Sequence, residues 1–160
     1  VRLGWYSVRI ASSPGMAEVT NVPTVGEARA LGDSYAGKAI LAFLSDAEIA
    51  RYRVWAEAHD IAWTERSDRD LRSVRKNSVA LGRAELDGSA MPVAFPIMVR
   101  DLAIAALSID APVLDGPPDP DSSPFADWRA IVTQFEHLAR AQPALFENPF
   151  AHLDPGTIML

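Results

Sequence analysis

The sequence predicts an α+β domain: an antiparallel or mixed sheet with helices packed on it. Three observations carry this. An alternating stretch opens the chain, two adjacent apolar runs occupy residues 91–109, and helical periodicity fills most of what lies between and after them. Hairpins separated by helices, in the order β-β-α-α-α-β-β-α, give antiparallel pairing. The 160 residues suit one domain, with 49% hydrophobic and 22% charged residues, enough to bury a single core.

Residues 1–11 read as a strand, in which Leu3, Trp5, Ser7 and Arg9 alternate with Tyr6, Val8 and Ile10. Ser12-Ser13-Pro14-Gly15 is a turn signal, and Met16 to Val22 is expected to return as a second strand. Pro23 to Asp33 is less regular. A helix is expected from near Ser34 through Leu44, because AGKAILAFL is made of good helix formers. Ser45 and Glu48 have capping-box spacing, so a second helix is expected from Asp46 to about Ala58. Ser67 and Asp70 give a weaker signal for a short third helix, with Leu71 and Val74 facing inward.

The runs at 91–98 and 102–109 read as a buried hairpin turning at Val99-Arg100-Asp101. Pro92 and Pro96 cannot donate ladder hydrogen bonds, so its first strand is expected to be interrupted, bulged or unpaired on one side. Ala111 to Pro124 is a proline-rich loop. Ser123 is expected to cap a last helix with Pro124 at its first position. Phe125, Trp128, Ile131, Val132, Phe135, Leu138 and Ala139 recur there at helical spacing. The tail from Pro143 is irregular, with one short turn at 144–148. Its Phe146, Phe150, Ile158 and Leu160 suggest packing on the body or a partner.

Composition narrows the function. Fifteen basic and 21 acidic residues leave a net charge of −6, a poor basis for gripping a phosphate backbone. The cations Arg69, Arg72, Arg75 and Lys76 read as a solvated helix face. Without cysteine there is no thiolate nucleophile and no Cys-ligated metal. His59, His137 and His152 lack metal-ligand spacing. Neither a phosphate-binding glycine loop nor a nucleophile elbow occurs. Glu85 and Asp87 read as a solvated turn rather than an acid/base couple. No catalytic residue, metal, cofactor or membrane span is expected. Trp5, Tyr6, Trp55, Trp63 and Trp128 are assigned to core or interface.

Three segments, in order, carry a resemblance. They are LGDSYAGKAILAFL followed by SDAEI, then Ala94-Phe95-Pro96-Ile97, then Ala105-Ala106-Leu107-Ser108-Ile109-Asp110-Ala111-Pro112. Leu71-Arg72-Ser73-Val74-Arg75 falls between them at matching separation. Together they resemble the effector-binding domain of IclR-family transcription regulators over about residues 1–140. The resemblance implies a GAF-like fold, a curved antiparallel sheet with helices on both sides and a ligand pocket on one face. It also implies a cytoplasmic protein that senses a small molecule such as an organic or aromatic acid. Such a domain forms a homodimer or homotetramer and meets DNA only through a winged helix-turn-helix preceding residue 1. Residues 1–160 would then be the single effector-binding domain.

The ligand-binding residues expected on this basis are Ser34, Tyr35, Ala36, Gly37, Met91, Phe95, Ser108 and Asp110. Residue chemistry adds its own support. The first N–H groups of a helix opening at Ser34–Gly37 lack partners within it and favour an anion. Ser108 and Asp110, two apart on a strand, share a face. Four positions depart from the family pattern: Tyr35 for a small residue, Asp110 for Ser, Gly82 for Asp and Gly32 for a frequent His. A buried Asp110 would repel a carboxylate, so a ligand with a hydroxyl or amine is an alternative. A GAF-like sensor joined to another output, and an oligomerisation module with a closed pocket, stay open. So does the choice between repressor and activator.

Overall fold

The computed structural model describes residues 1–13, 24–82, 91–111 and 123–145. The first sheet has the order β1 (Arg2–Leu3), β2 (Tyr6–Val8), β3 (Ala28–Ala30), all antiparallel. The opening strand expected over 1–11 is therefore two short strands. Gly4 turns the chain between them at φ +56, a conformation that glycine adopts without the steric cost a Cβ brings. The return strand expected at Met16–Val22 lies outside the described residues. Ala28–Ala30 pairs instead with β2, from the stretch read as less regular.

A 3₁₀ turn at Leu31–Asp33 leads into α1 (Tyr35–Leu41). α2 (Asp46–Ala58) starts where the Ser45–Glu48 box places it, with both reciprocal bonds formed. α3 (Glu65–Asn77) is longer than expected and starts upstream of Ser67–Asp70, where the Thr64 N–H donates to the Ser67 hydroxyl at 3.2 Å. Leu71 and Val74 are buried, as their spacing requires.

The second sheet has the order β4 (Ala80–Leu81), β5 (Met91–Val99), β6 (Leu102–Ala111), again antiparallel. Among the described residues the hydrogen bonding thus divides the strands into two three-stranded sheets. β5 runs unbroken despite its two prolines. Gly82 donates its N–H to the Pro92 carbonyl at 2.6 Å, so Pro92, and Pro96 four residues on, turn their nitrogens away from β6. β4 pairs only with Val93 and Ala94, and the missing donors cost few ladder bonds. The one irregularity is a shift at Ile97/Met98.

α4 (Phe125–Ala141) follows, with Pro124 at the N-cap rather than in the first helical position. Ser123 points its hydroxyl to Asp127 instead of capping a backbone N–H.

Helices cover both faces of the second sheet. On one side Leu31, Ala39, Ile40, Tyr52, Leu71 and Val74 pack with Ala94 and Ala103. On the other, Phe125 and Val132 of α4 pack with Val93, Phe95 and Ile97. Phe95, Phe125 and Trp128 meet edge to face at 5.1–6.2 Å. No helix among the described residues is long and apolar enough to cross a membrane.

Candidate functional site

Strand alternation decides which expected residues share a face. Ala94 lies opposite Ser108, Pro92 opposite Asp110 and Pro96 opposite Ala106. Ala94 and Ala106 pack in the cluster that holds α1, together with Tyr35 and Ala36. Ser108 and Asp110, in step with Ala106, therefore project on the side where α1 lies. Both are exposed. Small side chains at 94 and 106 let α1 sit close to the strands.

Met91 and Phe95 are out of step with this row and project on the opposite side. Phe95 is 1% exposed in the α4 core, and Met91 packs against the same cluster. The two-residue period of β5 thus places these two expected residues on the α4 side of the sheet and Ser108 and Asp110 on the α1 side. Tyr35 and Met91 consequently do not meet across one site.

The start of α1 is held by side chains. The Ser34 hydroxyl oxygen accepts from the Gly37 N–H at 2.9 Å and lies 3.0 Å from the Ser7 hydroxyl. Ser7 in turn donates to the Arg29 carbonyl at 3.2 Å. One of the helix's opening N–H groups is thus already satisfied, and Ser34 acts as a cap. Gly37 is buried, and a Cβ there would strike the Leu31 carbonyl oxygen and lie 2.7 Å from its Cα. Its smallness serves the packing of α1 on the preceding turn. What remains of the motif on the site side is Tyr35 and Ala36, both half-buried. Tyr35 lies beneath the Lys38 ammonium, 5.5 Å from the ring centroid.

Two of the positions at which the sequence departs from the pattern it resembles have local steric causes. A Cβ at Gly82 would collide with the Pro92 ring, 2.7 Å from Cδ. A side chain at 82 is excluded by Pro92, whose cross-strand partner is Asp110. The acid on this end of the sheet face stands at 110. At Gly32 a Cβ would lie 2.8 Å from the Tyr52 hydroxyl, which accepts the Gly32 N–H at 2.7 Å. Tyr52 is fully buried, and burial, with Asp33 and Tyr6 nearby, raises its pKa against the opposing bond from Gly32. Ser7 and Tyr52, not singled out from sequence, thus shape the site's frame together with Pro92, which the sequence marked only as a strand irregularity. Ser7 and Tyr52 had only their strand and helix periodicity to mark them.

Other candidates resolve simply. His59 stacks on Trp55 with ring centroids 4.4 Å apart, and its Nδ1 is 2.7 Å from the Trp55 carbonyl. Among the described residues no group of histidines and carboxylates could hold a metal ion. His152, Glu85, Asp87 and the loop that follows Ala111 lie outside the described residues. Trp5, Trp55 and Trp63 gather around Tyr52 at 5.5–5.6 Å. Two surface grooves, one between α2 and α3 and one near Trp63, touch none of the expected site residues.

No protein-family model and no curated protein matches the sequence. Solved structures do match in fold. A protein described as a transcriptional regulator from Rhodococcus sp. RHA1 superposes with a TM-score of 0.69 at 24% identity, over 86% of this chain and 58% of that one. The Thermotoga maritima IclR gives 0.64 at 20% identity, over 85% and 56%. An IclR homolog from Microbacterium hydrocarbonoxydans, complexed with 4-hydroxybenzoate, gives 0.57 at 20%, over 77% and 51%. The chain therefore spans a little over half of these regulators. Its α+β arrangement is similar to that of the part of each structure it covers. The likeness is one of fold, to solved structures described as transcriptional regulators, an IclR and an IclR homolog among them.

Proposed function

We propose that this chain is the effector-binding domain of an IclR-type regulator, without catalytic activity, and that a small molecule binds on the face shared by α1 and β6. The observation that carries this is the placement of Ser108 and Asp110 on the α1 side of the sheet, beside the small residues Ala94 and Ala106. Tyr35, Ala36, Ser108 and Asp110 would contact the ligand. Ser34 and Gly37 would hold the start of α1 in place. The 4-hydroxybenzoate of the Microbacterium homolog and the 3-hydroxybenzoic acid bound to a double mutant of the Acinetobacter PobR inducer-binding domain favour an aromatic acid. Asp110 favours a ligand that also presents a hydroxyl or amine, since an unpaired carboxylate repels an anion.

In the whole protein a winged helix-turn-helix preceding residue 1 would contact DNA, and ligand binding would alter how subunits of a cytoplasmic homodimer or homotetramer are arranged. The test is a thermal-shift panel of hydroxybenzoates, hydroxy acids, simple organic acids and amines. A ligand at ~100 times its dissociation constant adds about 2.7 kcal/mol, a rise of several degrees. Ser108→Ala is expected to weaken the response, and Asp110→Asn to shift preference toward simple carboxylates. A binding ligand indifferent to both substitutions would refute this site.

A further inference from the structure

A second feature lies away from the sheet face, on the surface formed by α2 and α3. The two helices run antiparallel, since Asp46 at the start of α2 meets Arg75 near the end of α3, and Arg53 meets Asp68 at the other end. These ion pairs close the two ends of a trough of about 290 Å³. Its floor is apolar, formed by the buried Ile49 and Leu71. Arg75 is committed further, donating to the carbonyls of Ala42 and Leu44 at the end of α1. Arg53 lies over the Trp63 ring at 5.2 Å. Arg72 lines the same trough and has no partner among the described residues. Among the described residues one guanidinium thus stands uncommitted beside an apolar strip, between two satisfied ion pairs.

We propose that this trough is a binding site for a monocarboxylate with a short apolar body. The planar fork of Arg72 matches a carboxylate in bidentate geometry, which a point charge would not. Ile49 and Leu71 accept the apolar part. The volume sits at the small end of ligand pockets, ~300 Å³ and upward. Asp46 and Asp68, each held by its own arginine, leave the net charge of the lining at one positive, counting Arg53, Arg72 and Arg75 against them. The carboxylate is therefore drawn to this spot although the chain as a whole is acidic. This proposal is independent of the one for the α1–β6 face.

Trp63 provides the reporter, because its indole N–H donates to Asp68 at 3.3 Å at the rim of the trough. The experiment is an amide and indole NMR titration of the intact chain with benzoate, hexanoate and, as the neutral analogue, benzyl alcohol. Both carboxylates are expected to move the Trp63 indole signal and the amides of Ala50 and Leu71, and benzyl alcohol is not. Arg72→Gln, an exposed substitution, is expected to weaken binding by about ten-fold or more, the worth of a hydrogen bond to a charged group. The proposal is overturned if benzyl alcohol gives the same shifts, if Arg72→Gln binds as well as the parent, or if the carboxylates leave these signals unmoved. Shifts confined to Ala94, Ser108 and their neighbours would likewise overturn it, and would support the α1–β6 site instead.

Discussion

Replacing Tyr52 with Phe tests the joint between α2 and the turn that leads into α1. Tyr52 is fully buried, and its hydroxyl accepts the Gly32 N–H at 2.7 Å. Tyr52→Phe leaves the ring packing in place and removes the acceptor. A buried donor left without its partner costs about 1–3 kcal/mol. For a domain of this size that is a fall of roughly 2–4 °C in melting temperature per kcal/mol. The geometry adds a sharper test. A Cβ at Gly32 would lie 2.8 Å from the Tyr52 hydroxyl oxygen but 3.5 Å or more from the ring carbons. Gly32→Ala must therefore displace the hydroxyl in the parent protein, whereas in Tyr52→Phe the methyl meets only ordinary contact. The two substitutions are expected to be less than additive, with a coupling of about 1 kcal/mol in a double-mutant cycle read by urea denaturation. The same residue predicts an alkaline limb. Its folded pKa is raised, chiefly by burial, so its contribution to stability is full below pH 10 and is lost as pH climbs through the folded pKa. That part of the alkaline loss should be absent from Tyr52→Phe. Strict additivity, or an unchanged alkaline limb, would refute this account of the joint.

Gly37→Ala is expected to destabilise by at least 1–3 kcal/mol, because the new methyl meets Leu31 backbone that has nowhere to move; denaturant midpoints check this. At Glu48 burial opposes ionisation, but hydrogen bonds from Ser45 and the nearby Arg2 prevail and lower the pKa below 4.5. Its contribution is therefore present above pH 4.5 and fades as pH falls through the folded value, and Glu48→Gln should flatten that acid limb. Ser45→Ala, which removes the cap, should cost about 1 kcal/mol by the same denaturation assay.

Local signals were sufficient wherever a residue's role depends on its chain neighbours. The Ser45–Glu48 box set the start of α2. The apolar runs set the β5–β6 hairpin, and the spacing of Phe125, Val132 and Ala139 set the buried side of α4. The two-residue period also put Ser108 and Asp110 on one face from sequence alone. Roles fixed by contacts distant in the chain were decided only by the tertiary structure. Which face α1 covers depends on packing between elements some 60 residues apart, and it put Met91 and Phe95 on the opposite side of the sheet from Ser108 and Asp110. Gly37 is small because of Leu31, Gly82 because of Pro92, and Gly32 because of Tyr52. Prolines 92 and 96 fit a continuous strand because β4 is two residues long. In each case the sequence named the unusual residue, and the excluded volume of a partner elsewhere in the fold supplied its reason.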